Sequence, residues 1–165
     1  MKLAVRLALL AAVIAAGAWL WTVLFPSPPE IIRARLSRLA RDASFRSSEG
    51  TLAILNKAER IAGYFSTNVE VDLDIPGRLE HSFIGREEII QAATAAHGAV
   101  GGLKVEFLDV EAAVGPDPAV ATADLTLRAR AEGDRDDIVQ EMKFTFRKID
   151  GDWLITRVET VRTLT

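Results

Sequence analysis

The chain has 165 residues, of which 49% are hydrophobic, and its 20 basic and 23 acidic side chains leave a formal net charge of −3. It contains no cysteine, which excludes disulfide bonds, and its mixed charges form no basic patch interleaved with aromatic residues, so we expect no nucleic-acid partner. With only two scattered histidines, and no glycine-rich loop carrying a lysine before a helix, we also expect no metal and no cofactor.

An uncharged apolar run follows the basic tip formed by Lys2 and Arg6. It extends from Leu7 to Phe25 and, at ~1.5 Å per helical residue, is about 28 Å long, close to the ~30 Å hydrocarbon core of a bilayer. Trp21 and Phe25 suit the membrane interface. The pattern predicts that residues 1–25 form a signal anchor whose residues 7–25 cross the lipid bilayer as a single transmembrane helix.

Two other interpretations of this segment stay open. Ala16-Gly17-Ala18 matches a small-x-small cleavage site, and cleavage there would remove residues 1–18. The segment is also compatible with a buried helix of a soluble protein. The basic tip favours a cytoplasmic N-terminus, which would place the domain on the periplasmic side of a bacterial-type inner membrane, although the arginines that follow the anchor oppose export by the same rule.

A short proline-rich linker, residues 26–29, separates the anchor from residues 30–165. These are about 135 residues, enough for one domain with a hydrophobic core but not for two. Changes of hydrophobic periodicity predict three helices and six strands. The helices are at 30–43, at 51–64 and after Gly85; the strands are at 69–75, 79–83, 103–114, 119–131, 138–149 and 153–162.

Apolar spacing predicts which helix faces enter the core. One stripe of the first helix consists of Ile32, Leu36, Leu39 and Ala43. The stripe predicted for the second helix consists of Leu55, Ala58, Ala62 and Phe65, with Ile54 and Ile61 beside it. The arginines of the first helix fall on its other faces, where they either face solvent or attract anionic lipid headgroups next to the anchor.

Local signals also indicate irregularities in the sheet. The alternation slips near Phe107-Leu108, which predicts a bulge in the 103–114 strand. Asp150-Gly151-Asp152 predicts a hairpin turn, and Pro76-Gly77 another turn.

The order of elements and three local segments resemble the nuclear transport factor 2-like superfamily, which includes ketosteroid isomerase and the SnoaL-like cyclases. The segments are Tyr64-Phe65-Ser66-Thr67-Asn68-Val69, Phe83-Ile84-Gly85-Arg86-Glu87-Glu88-Ile89 and Ile149-Asp150-Gly151-Asp152-Trp153-Leu154-Ile155. The resemblance covers residues 30–165. It implies a cystatin-like α+β fold in which a strongly bent, mostly antiparallel sheet wraps three helices as a cone, often with a pocket, and often dimerises through the open sheet face.

The site residues are less clear than the fold. Alternation along the second strand turns His81 and Phe83 toward the interior, so with Phe65 they are candidates for lining a ligand pocket. A neutral imidazole there could act as an acid or base, and Asp109 or Asp124, which resemble acids of the family, could orient it. The competing interpretation is a structural histidine in the core or at the pocket rim.

Two other ionisable residues are expected to be solvated. Asp74 lies near the position of the ketosteroid isomerase base, but it shares its face with Glu70 and Asp72, and the first helix lacks the tyrosine that such an enzyme needs. His97, at a helix end among small residues, is expected to be exposed.

The polar sheet face has two interpretations. Alternation places four residues of the 138–149 strand on it, where we expect them beside Arg157 and Glu159. The four are Glu141, Lys143, Thr145 and Arg147. Such cross-strand pairs suit either a solvated face or the surface of a homodimer.

The sequence therefore favours a membrane-tethered, non-enzymatic module that binds a partner protein or a small apolar ligand. The first alternative is a pocket enzyme, an isomerase, cyclase or hydrolase using His81. The second is a structural part of an envelope assembly.

Overall fold

The computed structural model describes residues 26–46, 49–74 and 81–161, together with positions 12, 14, 15 and 17; of His81 it describes the backbone alone. No helix within these residues is long and apolar enough to cross a membrane. The predicted anchor at residues 7–25 lies almost entirely outside the described residues, as does the predicted Pro76-Gly77 turn, and both stay predictions.

Within the described residues from 26 to 161, three helices and six strands follow one another in the predicted order. The helices are α1 (Pro28–Ala43), α2 (Thr51–Ala62) and α3 (Arg86–Ala99). The strands are β1 (Phe65–Leu73), β2 (His81–Ile84), β3 (Leu103–Val114), β4 (Val120–Ala131), β5 (Ile138–Ile149) and β6 (Asp152–Thr160). The bounds of β3 and β5 agree with those predicted, whereas β1 begins four residues earlier, at Phe65.

The six strands form one mixed sheet in the order β2-β1-β6-β5-β4-β3. Every neighbouring pair is antiparallel except β1 and β6, which are parallel. The edge strand β3 is protected beyond the end of α1, because Phe45 exchanges two backbone hydrogen bonds with Leu103 and the Ser44 hydroxyl accepts one from the Val105 N–H. Helix α1 therefore runs along β3 in the opposite direction.

The core lies between the helices and one face of the sheet. Of the predicted α1 stripe, Ile32, Leu36 and Leu39 are buried and Ala43 is half-buried, and Phe146 of β5 is completely buried. The rest of the core includes Phe65, Val69, Leu125, Met142, Phe144, Trp153, Ile155 and Val158.

The prediction for Leu55 is wrong, because its side chain is 43% exposed. Helix α2 buries Ala58, Ile61 and Ala62 instead. The polar contacts of α2 with α1 and with Ser44, the residue after α1, are made by Lys57 and Arg60. Leu55 precedes both of these residues on the helix.

The predicted irregularities in β3 and at the β5–β6 turn are present. The β3–β4 register shifts between Leu108 and Glu111, where Asp109 has a φ of 51°. In the β5–β6 turn, Asp150 and Gly151 have φ values of 51° and 92°. Two successive positive φ angles are the geometry that matches the twist of a tight hairpin.

Candidate functional site

A groove lies at the C-terminal end of α1. It consists of two adjoining cavities of about 680 and 480 Å³ that share Leu103, Ala131 and Asp134. Four segments line this rim groove: the connection after α1, the start of β3, the β4–β5 connection with its flanking residues, and the end of α3. The chain enters α1 at the opposite end, 16 residues away, or about 24 Å along the helix axis.

Small residues on facing elements create this space. The sheet supplies Ala129 and Ala131, together with Leu103 at the start of β3. Helix α3 supplies Ala96 and Ala99. Because their side chains are short or lie at strand ends, the elements meet without filling the volume between them. The result is a largely apolar floor.

Charged side chains surround the floor, and two of the basic ones, Arg130 and Lys104, are paired with carboxylates. Arg130 binds Asp137 through two hydrogen bonds, and Lys104 forms an ion pair with Glu106 at 2.9 Å. The hydrogen bond from Arg130 lowers the pKa of Asp137. The rim is therefore polar, with part of its charge paired within the protein, above a floor that suits a ligand held mainly by apolar contact.

The groove wall depends on a close backbone approach at Gly102. Its carbonyl accepts a hydrogen bond from the Glu132 N–H at 2.8 Å. A Cβ atom at Gly102 would lie 2.5 Å from the Glu132 Oε2 atom and 3.3 Å from the Phe45 carbonyl oxygen. Glycine thus allows β3, the β4–β5 connection and the segment after α1 to meet.

His97 lies behind this wall, and the prediction that it is exposed is wrong. Its side chain is only 5% exposed, and its ring stacks on Phe45 with 3.7 Å between centroids. The Nδ1 atom is 2.8 Å from the Ala93 carbonyl oxygen, and the Nε2 atom is 3.8 Å from Glu49 Oε2. Phe45, in the segment after α1, covers His97 near the end of α3. The sequence around His97 does not reveal this contact, because Phe45 is distant in the chain.

Glu49 is held by a second helix. The Lys57 ammonium donates hydrogen bonds to Glu49 Oε1 at 2.8 Å and to the Ser44 carbonyl at 2.7 Å. The hydrogen bond from Lys57 is the main reason that the pKa of Glu49 is lowered, while burial opposes it. Glu49 is therefore a carboxylate at neutral pH, fixed between α2 and His97.

Glu49 and His97 are residue types that can form a catalytic acid–base pair, but the imidazole is not accessible to a substrate. The His97 Nε2 atom is buried and makes no hydrogen bond to any described residue, and Nδ1 is engaged by the Ala93 carbonyl. A catalytic base must reach the proton that it removes. In this geometry the imidazole supports the groove wall and neither ring nitrogen faces the groove.

The strand order separates His81 from the two acids predicted to orient it. His81 belongs to β2 at one sheet edge, whereas Asp109 and Asp124 belong to β3 and β4, with β1, β6 and β5 in between. Phe65 is buried in the core and Phe83 is half-buried against it. Of the four candidates whose side chains are described, Phe65, Phe83, Asp109 and Asp124, none lines the rim groove.

Asp109 and Asp124 do come together with each other. They line a small cavity of about 200 Å³ beside two further acids, Glu111 and Glu141. Within the described part of the chain, no group of three histidine, cysteine or acidic side chains has the geometry to hold a metal ion.

The polar sheet face carries the cross-strand pairs that alternation predicted, since Lys143 lies opposite Glu159 and Thr145 opposite Arg157. The Arg157 guanidinium of β6 also joins two strands, binding Glu70 of β1 at 3.1 Å, Asp72 of β1 at 3.2 Å and Glu159 of its own strand at 3.0 Å. All four of these side chains are well exposed, so each pair is worth little on its own.

Sequence comparison gives no assignment, since no protein-family model and no curated protein matches the chain. Solved structures do match. A nuclear transport factor 2-like protein with a cystatin-like fold from Novosphingobium aromaticivorans is 21% identical, with a TM-score of 0.61 over 89% of this chain and 86% of that one.

Two further structures show how widely the fold is used. A candidate scytalone dehydratase from Novosphingobium aromaticivorans is 18% identical, with a TM-score of 0.58 over 82% of this chain and 83% of that one. The yeast Ubp3-associated protein Bre5 is 12% identical, with a TM-score of 0.61 over 84% of this chain and all of that one. At such identities the likeness concerns the fold and not the function. The chain therefore has the α+β, cystatin-like fold of nuclear transport factor 2-like proteins.

Proposed function

We propose that the protein is a membrane-tethered, non-enzymatic module whose rim groove binds a small apolar ligand or an apolar segment of a partner protein. Residues 7–25 hold it in a bacterial-type plasma membrane, and the folded domain lies on the extracytoplasmic side. The observation that carries the binding role is the pair of adjoining cavities with their floor of Leu103, Ala129, Ala131 and the α3 alanines.

The non-enzymatic character rests on the chemistry at the groove. Glu49 is held as a carboxylate by Lys57, and the imidazole next to it is enclosed by Phe45. Arg130 and Lys104 are partnered by carboxylates. The described groove thus offers recognition surface, and the imidazole of His97 behind it is enclosed.

The tether is tested on the full chain expressed with its own N-terminus. We expect it to remain with the membrane after alkaline carbonate extraction, and its mature mass to include residues 1–18. A mature protein that begins at Trp19, or that is released by carbonate, would overturn the tether.

The groove is tested by a matched pair of substitutions on α3. Ala99 lines the groove and Ala95, one turn earlier, does not, and both are exposed. Native mass spectrometry of the detergent-extracted full chain should show a retained ligand or partner in the unmodified protein and in A95W. In A99W the indole fills the groove, so the retained mass should be lost. Identical spectra for all three proteins would contradict the proposal.

The same spectra report stoichiometry. We propose that two copies associate through the polar sheet face around Arg157, as the exposed cross-strand pairs there permit. A single-chain mass at high micromolar concentration would contradict the homodimer without affecting the groove.

A further inference from the structure

Helix α1 presents a basic face to solvent. Arg33, Arg38 and Arg41 are all exposed; Arg38 and Arg41 lie opposite the buried stripe that anchors the helix in the core, and Arg33 borders it. The two acids of α1 are engaged elsewhere: Glu30 accepts hydrogen bonds from Ser27 at the helix start, and Asp42 accepts one from the Tyr64 hydroxyl.

The guanidinium groups keep their capacity for an anionic partner. Arg33 uses only its Nε atom, which donates to the Val110 carbonyl at 3.3 Å. Arginine offers a planar fork of donors that matches a phosphate group. Ser37 and Ala34 lie exposed between the arginines, so the face is unobstructed.

The position of α1 in the chain indicates that the anionic partner is a lipid surface. Only Pro26 and Ser27 separate the end of the predicted anchor, at Phe25, from the first residue of α1. The helix therefore begins at the headgroup region if residues 7–25 span the bilayer. If α1 stood upright, Arg41 would lie about 20 Å from its first residue, well beyond the ~8 Å screening length at physiological salt. If α1 lies flat, all three arginines are at the surface.

We propose that α1 lies along the bilayer with its arginine face against anionic phospholipid headgroups. This inference rests on the proposed tether. It also sets the position of the rim groove, which then opens beside the lipid surface rather than about 24 Å above it. A groove in that position could take up an apolar ligand from the membrane.

The experiment uses the full chain in liposomes and a single introduced cysteine, which the absence of native cysteine makes unique. S37C carries an environment-sensitive fluorophore on the arginine face. S82C carries it on β2, at the sheet edge opposite β3. Vesicles are made of phosphatidylcholine with or without phosphatidylglycerol, and quenching by neutral acrylamide reports exposure.

We expect the S37C probe to be protected in the anionic vesicles and accessible in the zwitterionic ones, while the S82C probe is accessible in both. Each arginine at an anionic surface favours the docked state by roughly fivefold, so R33Q/R38Q/R41Q should reduce the ratio of docked to undocked protein by about 100-fold. The triple variant K143Q/R147Q/K148Q removes the same charge from positions on β5 that do not line the rim groove, and it should retain protection.

Each failure has its own signature. A chain that carbonate releases from the vesicles overturns the tether, and the docking with it. A chain that stays inserted, but whose S37C probe is quenched equally in both lipids, overturns the docking alone. Equal loss of protection in the two triple variants also overturns it, because the effect would then follow net charge rather than the α1 face.

Discussion

The interior of the sheet and the rim groove are built from the same strands but differ in packing. At the centre of the sheet, Leu125 of β4 packs in a core with Phe144 and Phe146. Toward the end of the same strand, Ala129 and Ala131 form part of the groove floor. The core is filled where large side chains face one another, and it opens where β4 and α3 both supply alanines.

This difference shows where variation is tolerated. A core position is fixed by contacts on every side, whereas a groove position has protein on one side only. Proteins that share this fold, such as the candidate scytalone dehydratase and the yeast Ubp3-associated protein Bre5, would therefore differ most readily at their strand ends and connections, while the packed centre stays constant.

The largest expected effect tests the packed side of this comparison. Phe146 is completely buried and Val139, on the same strand, is 60% exposed. F146A should lower the free energy of unfolding by about 3–5 kcal/mol, because it leaves a cavity in the core. V139A should change it by less than about 0.5 kcal/mol. Urea denaturation measures both, and similar losses would show that the two regions do not differ as described.

The next effect concerns the groove wall. K57M removes the donor to Glu49 and to the Ser44 carbonyl, and should cost about 1–3 kcal/mol at pH 7, because partly buried acceptors lose their partner.

This cost should depend on pH. Because the folded-state pKa of Glu49 is lowered, its contribution is present above the unfolded-state pKa of about 4.3 and is lost as the pH falls through the folded value. The stability gap between the unmodified protein and K57M should therefore narrow below about pH 4. A constant gap would assign the effect to packing of the lysine stem.

Tyr64 gives a smaller effect with a clean signal, since it is the only tyrosine. Burial, followed by the hydrogen bond to Asp42, raises the pKa of its hydroxyl. Absorbance at 295 nm should therefore titrate with a midpoint above about 10, and D42N should bring the midpoint down. The associated stability is present below the unfolded pKa and is lost as the pH rises through the folded one. Y64F should cost about 1 kcal/mol at neutral pH.

The smallest effect separates stability from binding at the groove. Gly98 lies exposed in α3 with open space around its missing Cβ, so G98A should stabilise the fold by about 0.5–1 kcal/mol and leave the retained ligand unchanged. G151A is the matched contrast, since a φ of 92° disfavours alanine, and it should destabilise by about 1 kcal/mol. If G98A and G151A changed the free energy of unfolding in the same direction, the explanation from their backbone conformations would be wrong.

Apolar periodicity correctly predicted those structural features that depend on a single helix or strand. The α1 stripe, the bounds of β3 and β5 and the bulge near Asp109 all follow from apolar periodicity, and its interruption, within a single segment. It failed for Leu55 and His97, whose exposure depends on which other segment covers them. The separation of His81, on β2, from Asp109 and Asp124, on the adjacent strands β3 and β4, likewise follows from strand order, which no single strand reveals.

What the sequence alone determined is the type, order and inward face of most elements, because side-chain spacing of two or 3.6 residues is recorded in each segment separately. The tertiary structure decided the parallel β1–β6 pairing, the burial of His97 beneath Phe45 and the existence of the rim groove. Each depends on residues from distant segments meeting at one place, and a void between small side chains is a property of their arrangement, which no one of the segments contains.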